Sequence, residues 1–188
     1  MNSDDGRSTR REVLVQLGAA VAGLSVNSTF GPISPAQARD QGLPWKHFSA
    51  EEGKALEALG DALLPGAQQA GIAHYIDHQL GQEAPLLFLQ YMDLPGPYVD
   101  FYKQGLSCLQ QMSQTRFGSS FEGCTPERKS AMIRDMLKGS VSGWNEPPAF
   151  LFYFVIRNDA VDVCYGTAAG FKKLGVPYMA LLEPPRKW

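Results

Sequence analysis

Ala149-Phe150-Leu151-Phe152-Tyr153-Phe154-Val155-Ile156 is the most hydrophobic stretch of the chain, and it follows Pro147-Pro148. An unbroken apolar run of this kind fits a buried strand as well as a helix. The residues that follow decide between them. Arg157 to Tyr165 continues without a turn residue, Ala160, Val161 and Cys164 keep helical spacing, and Gly166 ends the pattern. The stretch therefore reads as one helix from about Pro148 to Tyr165. A helix that is apolar all round at one end is either central to a core or pressed against a partner.

The neighbouring segments carry helical signals as well. Ser49-Ala50-Glu51-Glu52 is a capping box, in which Ser49 accepts from first-turn amides and Glu52 reaches back. Leu56, Leu59 and Leu63 then share a face, and Pro65-Gly66 stops the helix. Gly71 to Leu80 reads as a shorter helix with Ile72 and Ile76 inward, ended by Gly81, and Pro85 to Tyr91 as another short one. Pro97 opens the next, in which Tyr98, Phe101, Tyr102, Gly105, Leu109 and Met112 recur at helical spacing before Gly118. Thr125-Pro126-Glu127 gives an N-cap, a first-position proline and a first-turn acid. Met132, Ile133, Met136 and Leu137 form that helix's apolar face, and Gly139 closes it. The sequence contains neither alternating strands nor an internal repeat. The expected fold is all-α: a single helical bundle-like domain of five or six helices with an extended C-terminal tail. Gly175-Val176-Pro177 breaks regular structure, and Glu183-Pro184-Pro185-Arg186-Lys187-Trp188 should be extended, as a frayed end or as a docking arm.

A chain of 188 residues allows one domain and its core. The formal net charge of -2 gives no basic stripe for nucleic acid or for an anionic membrane surface. Cys108, Cys124 and Cys164 form no CxxC, and an odd count leaves one thiol to be buried or to pair with another chain. Burial is the expected fate.

Residues 1–38 have the layout of an export address. A polar stretch ends in Ser8-Thr9-Arg10-Arg11-Glu12, a small-residue apolar run spans Val13 to Val26, and Ser34-Pro35-Ala36-Gln37-Ala38 supplies an Ala-x-Ala cleavage motif at Ala36 and Ala38. The arginine pair, Arg10 and Arg11, in this order looks like a twin-arginine signal for cargo that folds before export. The alternative, an ordinary amphipathic helix, fits poorly, because the run is apolar nearly all round and contains Gly18 and Gly23. It is also shorter than the ~20 residues of a spanning helix. Cleavage would leave residues 39–188 as the mature domain.

The chemistry of known sites is sparse. There is no GxGxxG, P-loop, HExxH or GxSxG. His74 and His78 lie four apart on a helix with Asp77 beside them, a spacing that can chelate a metal, although a site needs three or four convergent ligands and exposed helical histidines are commoner. Asp159, Asp162 and Arg157 could form an acid–base cluster, and a solvated or salt-bridged helix face is the preferred reading. The aromatic run could line a flavin or quinone pocket, but such a stripe is more often core or interface.

The order and spacing of these segments resembles subunit 3, the small subunit, of gluconate 2-dehydrogenase. The matching stretches are Phe48-Ser49-Ala50-Glu51-Glu52 to Leu63-Leu64-Pro65-Gly66, Ala70-Gly71-Ile72 to Tyr75-Ile76-Asp77-His78-Gln79-Leu80, Tyr102-Lys103-Gln104-Gly105-Leu106, Arg116-Phe117-Gly118, and Tyr165-Gly166 with Leu174-Gly175-Val176-Pro177. Many relatives carry a longer glycine- and asparagine-rich loop after the Tyr-Gly pair, where Thr167 to Gly170 is short. The resemblance implies a non-catalytic small subunit that supports maturation, stability and twin-arginine co-export of an FAD-containing large subunit of the glucose-methanol-choline type. It also implies a multi-haem cytochrome c as a frequent third subunit, and a periplasmic location, peripheral to the inner membrane through the complex. It supplies no catalytic residues, and no cofactor is expected in this chain. The expected partner interface is Phe150, Phe152, Tyr153, Phe154 and Trp188. The competing expectation is an independent periplasmic metal-binding protein or enzyme that uses His74, Asp77 and His78.

Overall fold

The computed structural model describes residues 33–92, 94–139 and 141–176. Among them there are eight helices and no β-sheet. They are α1 (Pro35–Asp40), α2 (Ala50–Leu63), α3 (Ile72–Leu80), α4 (Phe88–Tyr91), α5 (Tyr98–Phe117), α6 (Pro126–Lys138), α7 (Ala149–Tyr165) and α8 (Ala168–Leu174). The all-α fold expected from the sequence is the fold observed. Two of the helices, α1 and α8, were not expected. Thr167, expected in a short loop, caps α8 by accepting from the Gly170 amide at 3.0 Å. The expected domain boundary after Ala38 falls inside α1.

The termini of the longer helices follow local chemistry. Ser49 accepts from the Glu52 amide, and Glu52 returns the bond by accepting from the Ser49 amide at 2.8 Å. Thr125 caps α6, with Pro126 at its first position. Gly118 and Gly139 end α5 and α6 in the left-handed conformation, which costs a residue without Cβ little.

Helix α7 is the hub and packs against α2, α3, α4, α5, α6 and α8. Its inward stripe is Phe152, Val155, Ile156, Asp159, Ala160 and Val163, all buried. They recur at intervals of three and four, so a single face carries them. Phe152 meets Phe101 and Trp144, and its ring lies against Gly105 of α5. The rest of the core comes from Leu56 and Leu59 of α2, Ile72 and Ile76 of α3, Tyr102, Leu106 and Leu109 of α5, and Met132 and Met136 of α6. Leu137, expected on the inward face of α6, is instead exposed. The three cysteines are free thiols, with Cys108 and Cys124 buried and Cys164 half-buried.

Candidate functional site

The opposite face of α7 carries the exposed aromatics. Phe150 is 48 % exposed, which is unusual for a phenylalanine in the middle of a folded chain. One turn on, Phe154 lies parallel to it, with ring centroids 6.1 Å apart and 14° between planes. Tyr153 flanks Phe150 at 6.4 Å. Phe88, at the start of α4, meets Phe154 edge-on at 5.3 Å. The result is a continuous row from Phe150 through Phe154 to Phe88. Nearby on α4 the Tyr91 side chain is 70 % exposed.

Of the residues expected at an interface, the structure therefore brings Phe150, Tyr153 and Phe154 together on the surface. Phe152 is separated from them. Two residues from Phe150 and from Phe154 along a 3.6-residue helix, it points into the core and is fully buried. Trp188, like Arg10 and Arg11, lies outside the described residues. Phe88 and Tyr91 could not be identified from the sequence, because helical spacing gives no sign that α4 lies beside α7.

The contact between those two helices depends on Asp159. One of its oxygens accepts from the Phe88 amide at 3.0 Å, and the other accepts from the Tyr102 hydroxyl at 2.7 Å. The carboxyl is fully buried. For Asp159 this corrects the expectation of a solvated or salt-bridged face, whereas Arg157 and Asp162 are exposed as that reading has it: the stripe that carries Phe152 and Val155 also carries Asp159, and no cation approaches it within ion-pair distance among the described residues. Burial pushes its pKa up to about 7 against the opposing effect of those two hydrogen bonds, and Asp162 adds to the rise. Burial, reinforced by Asp159, likewise raises the Tyr102 hydroxyl well above its usual range. The unit has an anchoring geometry: it ties α4, and with it one end of the aromatic row, to α5 and α7.

His74 and Asp77 are likewise occupied with structure. Asp77 accepts from the amides of Lys46, His47 and Phe48 at 2.9, 2.7 and 3.3 Å, fixing the loop before α2. His74 donates through Nε2 to the Leu43 carbonyl at 2.9 Å. Its Nδ1 is buried without a partner. His47, His74 and His78 do line one small cavity, yet among the described residues no three His, Cys, Asp or Glu side chains converge to hold a metal ion. Burial and Lys46 hold His78 below its ordinary range against the opposing charge of Asp77.

A cleft with a volume of about 800 Å³ opens between α1, α7 and α8 and is lined by Pro35, Tyr75, Phe88, Val163, Cys164 and Thr167 among others. It continues the apolar surface of Phe88 and Tyr91. Tyr75 turns its hydroxyl away to donate to the Leu86 carbonyl at 2.6 Å.

The molecule thus presents an apolar, aromatic surface on a rigid helix, and its buried polar groups serve anchoring roles. Neither a curated protein nor a solved structure matches the chain. A family model, that of gluconate 2-dehydrogenase subunit 3, matches residues 50–181, a span that takes in every helix from α2 to α8 and the whole aromatic row. The chain belongs to the gluconate 2-dehydrogenase subunit 3 family, the small subunits of a multi-subunit dehydrogenase.

Proposed function

We propose that this chain is a non-catalytic small subunit that binds an FAD-dependent large subunit of the glucose-methanol-choline type and accompanies it through the twin-arginine translocase to the periplasm, stabilising the flavoprotein as it matures. The observation that carries the reading is the row Phe150–Phe154–Phe88: large aromatics, rigidly held, with a face open to solvent. Aromatic side chains are enriched among the residues that dominate interface energetics. Phe88 and Phe154 are already half-buried against the domain, so a partner would order little that is not ordered already. Membership of a subunit family and the Arg10-Arg11 pair before an apolar run support the same reading. On it, the complex sits peripheral to the inner membrane, and a multi-haem cytochrome c can complete it.

Co-expression with a tagged large subunit tests this directly. The small subunit should co-purify in a fixed ratio, and the flavin absorbance should belong to the large subunit alone. Replacing Arg10 and Arg11 with Lys should leave both subunits in the cytoplasm, because lysine keeps the charge but not the guanidinium geometry. Undiminished periplasmic flavoprotein in that variant would refute the escort role.

A further inference from the structure

Ala36-Gln37-Ala38 reads as a peptidase motif in the sequence, yet in the structure it is a helix built into the domain. Ser34 and Gln37 form a reciprocal capping box: the Gln37 amide donates to Ser34 Oγ at 3.2 Å and the Ser34 amide donates to Gln37 Oε1 at 2.8 Å. Pro35 and Ala38 are buried. The Ala38 carbonyl accepts from the Leu43 amide at 3.0 Å. On the far side of the Ala38–Arg39 bond, Arg39 Nε approaches Glu57 to 3.4 Å, an ion pair whose N–H is not aimed at the oxygen, since that nitrogen makes no hydrogen bond. Four residues further on, His74 holds the Leu43 carbonyl.

The domain is also shaped to receive this helix. Gly71 has φ +81°, and a Cβ there would overlap the Pro35 carbonyl. Glycine is thus needed at that position both for its backbone conformation and for the close approach of α1. Ser34, Pro35 and Ala36 form one wall of the large cleft.

We propose that the bond after Ala38 is not a processing site: the mature protein keeps α1, and any cut that removes the export segment falls before Ser34. The proposal rests in part on the twin-arginine reading, because such cargo folds before it meets the peptidase. Proteases cut exposed, extended chain, and a capped helix anchored by two buried residues is the reverse of that. A cut after Ala38 would remove the two buried residues of α1, Pro35 and Ala38, from their packing against α3 and open a wall of the cleft.

Two measurements on the full chain test this. The first is the N-terminal sequence and intact mass of protein taken from the periplasm. The first residue should be Ser34 or earlier, and a product beginning at Arg39 would overturn the proposal. If no protein reaches the periplasm, the export reading fails instead, and the second measurement still decides the role of α1. Limited proteolysis of the purified full chain with a protease of broad specificity should leave a resistant core that begins at or before Ser34. A core beginning after Ala38 would overturn the proposal. As a further check, Ala38→Asp should lower Tm by roughly 5 °C or more, since it places a carboxylate in a fully buried position. An unchanged Tm would show that α1 is dispensable and sink the idea.

Discussion

The Phe152 ring occupies the place that a Cβ on Gly105 would take. The two residues are on different helices, α5 and α7, and their contact sets how closely those helices approach. Gly105→Ala would push a methyl group into the ring, and both are buried in a core without slack. The expected loss is about 1–3 kcal/mol, the usual range for overpacking. Urea unfolding monitored by circular dichroism would measure it. Phe152→Leu in the same chain should recover part of the loss, and the double-mutant cycle should give a favourable coupling of at least ~0.5 kcal/mol. Strict additivity would mean that the glycine and the ring are independent.

Asp159 makes stability depend on pH. Its pKa of about 7 in the folded state lies above the ordinary carboxylate value of 3.8. Between these values the folded chain holds more protons than the unfolded chain, so stability falls as pH rises through that window. Below it both states are protonated, and above it the full penalty applies. Tyr102, Tyr75 and Asp162 are the titratable groups coupled to it, and both tyrosines are raised further from neutrality. The expected cost from pH 4 to pH 8 is roughly 2–4 kcal/mol. Asp159→Asn keeps an acceptor for the Phe88 amide and removes the charge. That variant should show a flatter profile from pH 4 to pH 8 and be at least as stable as the parent at pH 8. A profile as steep as the parent's would assign the dependence to another group.

Several helices of this fold were legible from the chemistry of their ends, although α1 and α8, capped by Ser34 with Gln37 and by Thr167, were not expected. Ser49 with Glu52, Thr125 with Pro126, and the glycines at 118 and 139 behave as their residue types require. Helix α7 was legible because no turn residue interrupts it. What the sequence could not show is which residues of that apolar run face out, since almost any rotation of the helix buries something hydrophobic. Phe150 and Phe152 look equivalent in sequence and differ completely in burial. Asp159 was misread for a related reason. Its oxygens are satisfied by the Phe88 amide and the Tyr102 hydroxyl, 71 and 57 residues away, and no local pattern announces such partners. Asp77 is similar: its spacing to His74 and His78 suggested a ligand, while its bonds run to a loop 29 to 31 residues earlier.

Asp77 should therefore matter for folding and not for metal. Asp77→Ala leaves three amides without their acceptor, those of exposed Lys46, half-buried His47 and buried Phe48. Hydrogen bonds to a charged group contribute about 1.5–3 kcal/mol each, and partial rescue by water lowers the sum. A total loss of roughly 2–4 kcal/mol in chemical denaturation is expected, with Asp77→Asn recovering part of it. Stoichiometric zinc should leave the Tm of the parent unchanged, whereas a rise that vanishes in Asp77→Ala would revive the metal reading.

The sharpest test of the aromatic row compares two phenylalanines two residues apart. Phe150 is on the open face and, among the described aromatic rings, meets only Tyr153 and Phe154. Phe152 is fully buried between Phe101, Trp144 and Gly105. Phe150→Asp should change the stability of the isolated subunit by no more than about 0.5–1 kcal/mol, as surface substitutions do. Its effect should appear in the complex instead: an anchor residue at an interface is worth about 2 kcal/mol or more, a weakening of roughly thirtyfold. Phe152→Asp should do the opposite and unfold the subunit, because an unpaired carboxylate would replace a ring at the centre of the core. Thermal unfolding of each isolated variant, followed by quantitative co-purification with the large subunit, separates the two effects. If Phe150→Asp binds the large subunit as tightly as the parent chain, the aromatic row is not the docking surface. Removing Pro184 to Trp188 in the same assay asks whether the C-terminal residues add to that surface. Weaker binding at unchanged Tm is the outcome expected of a docking arm, and undiminished binding would confine the interface to α4 and α7.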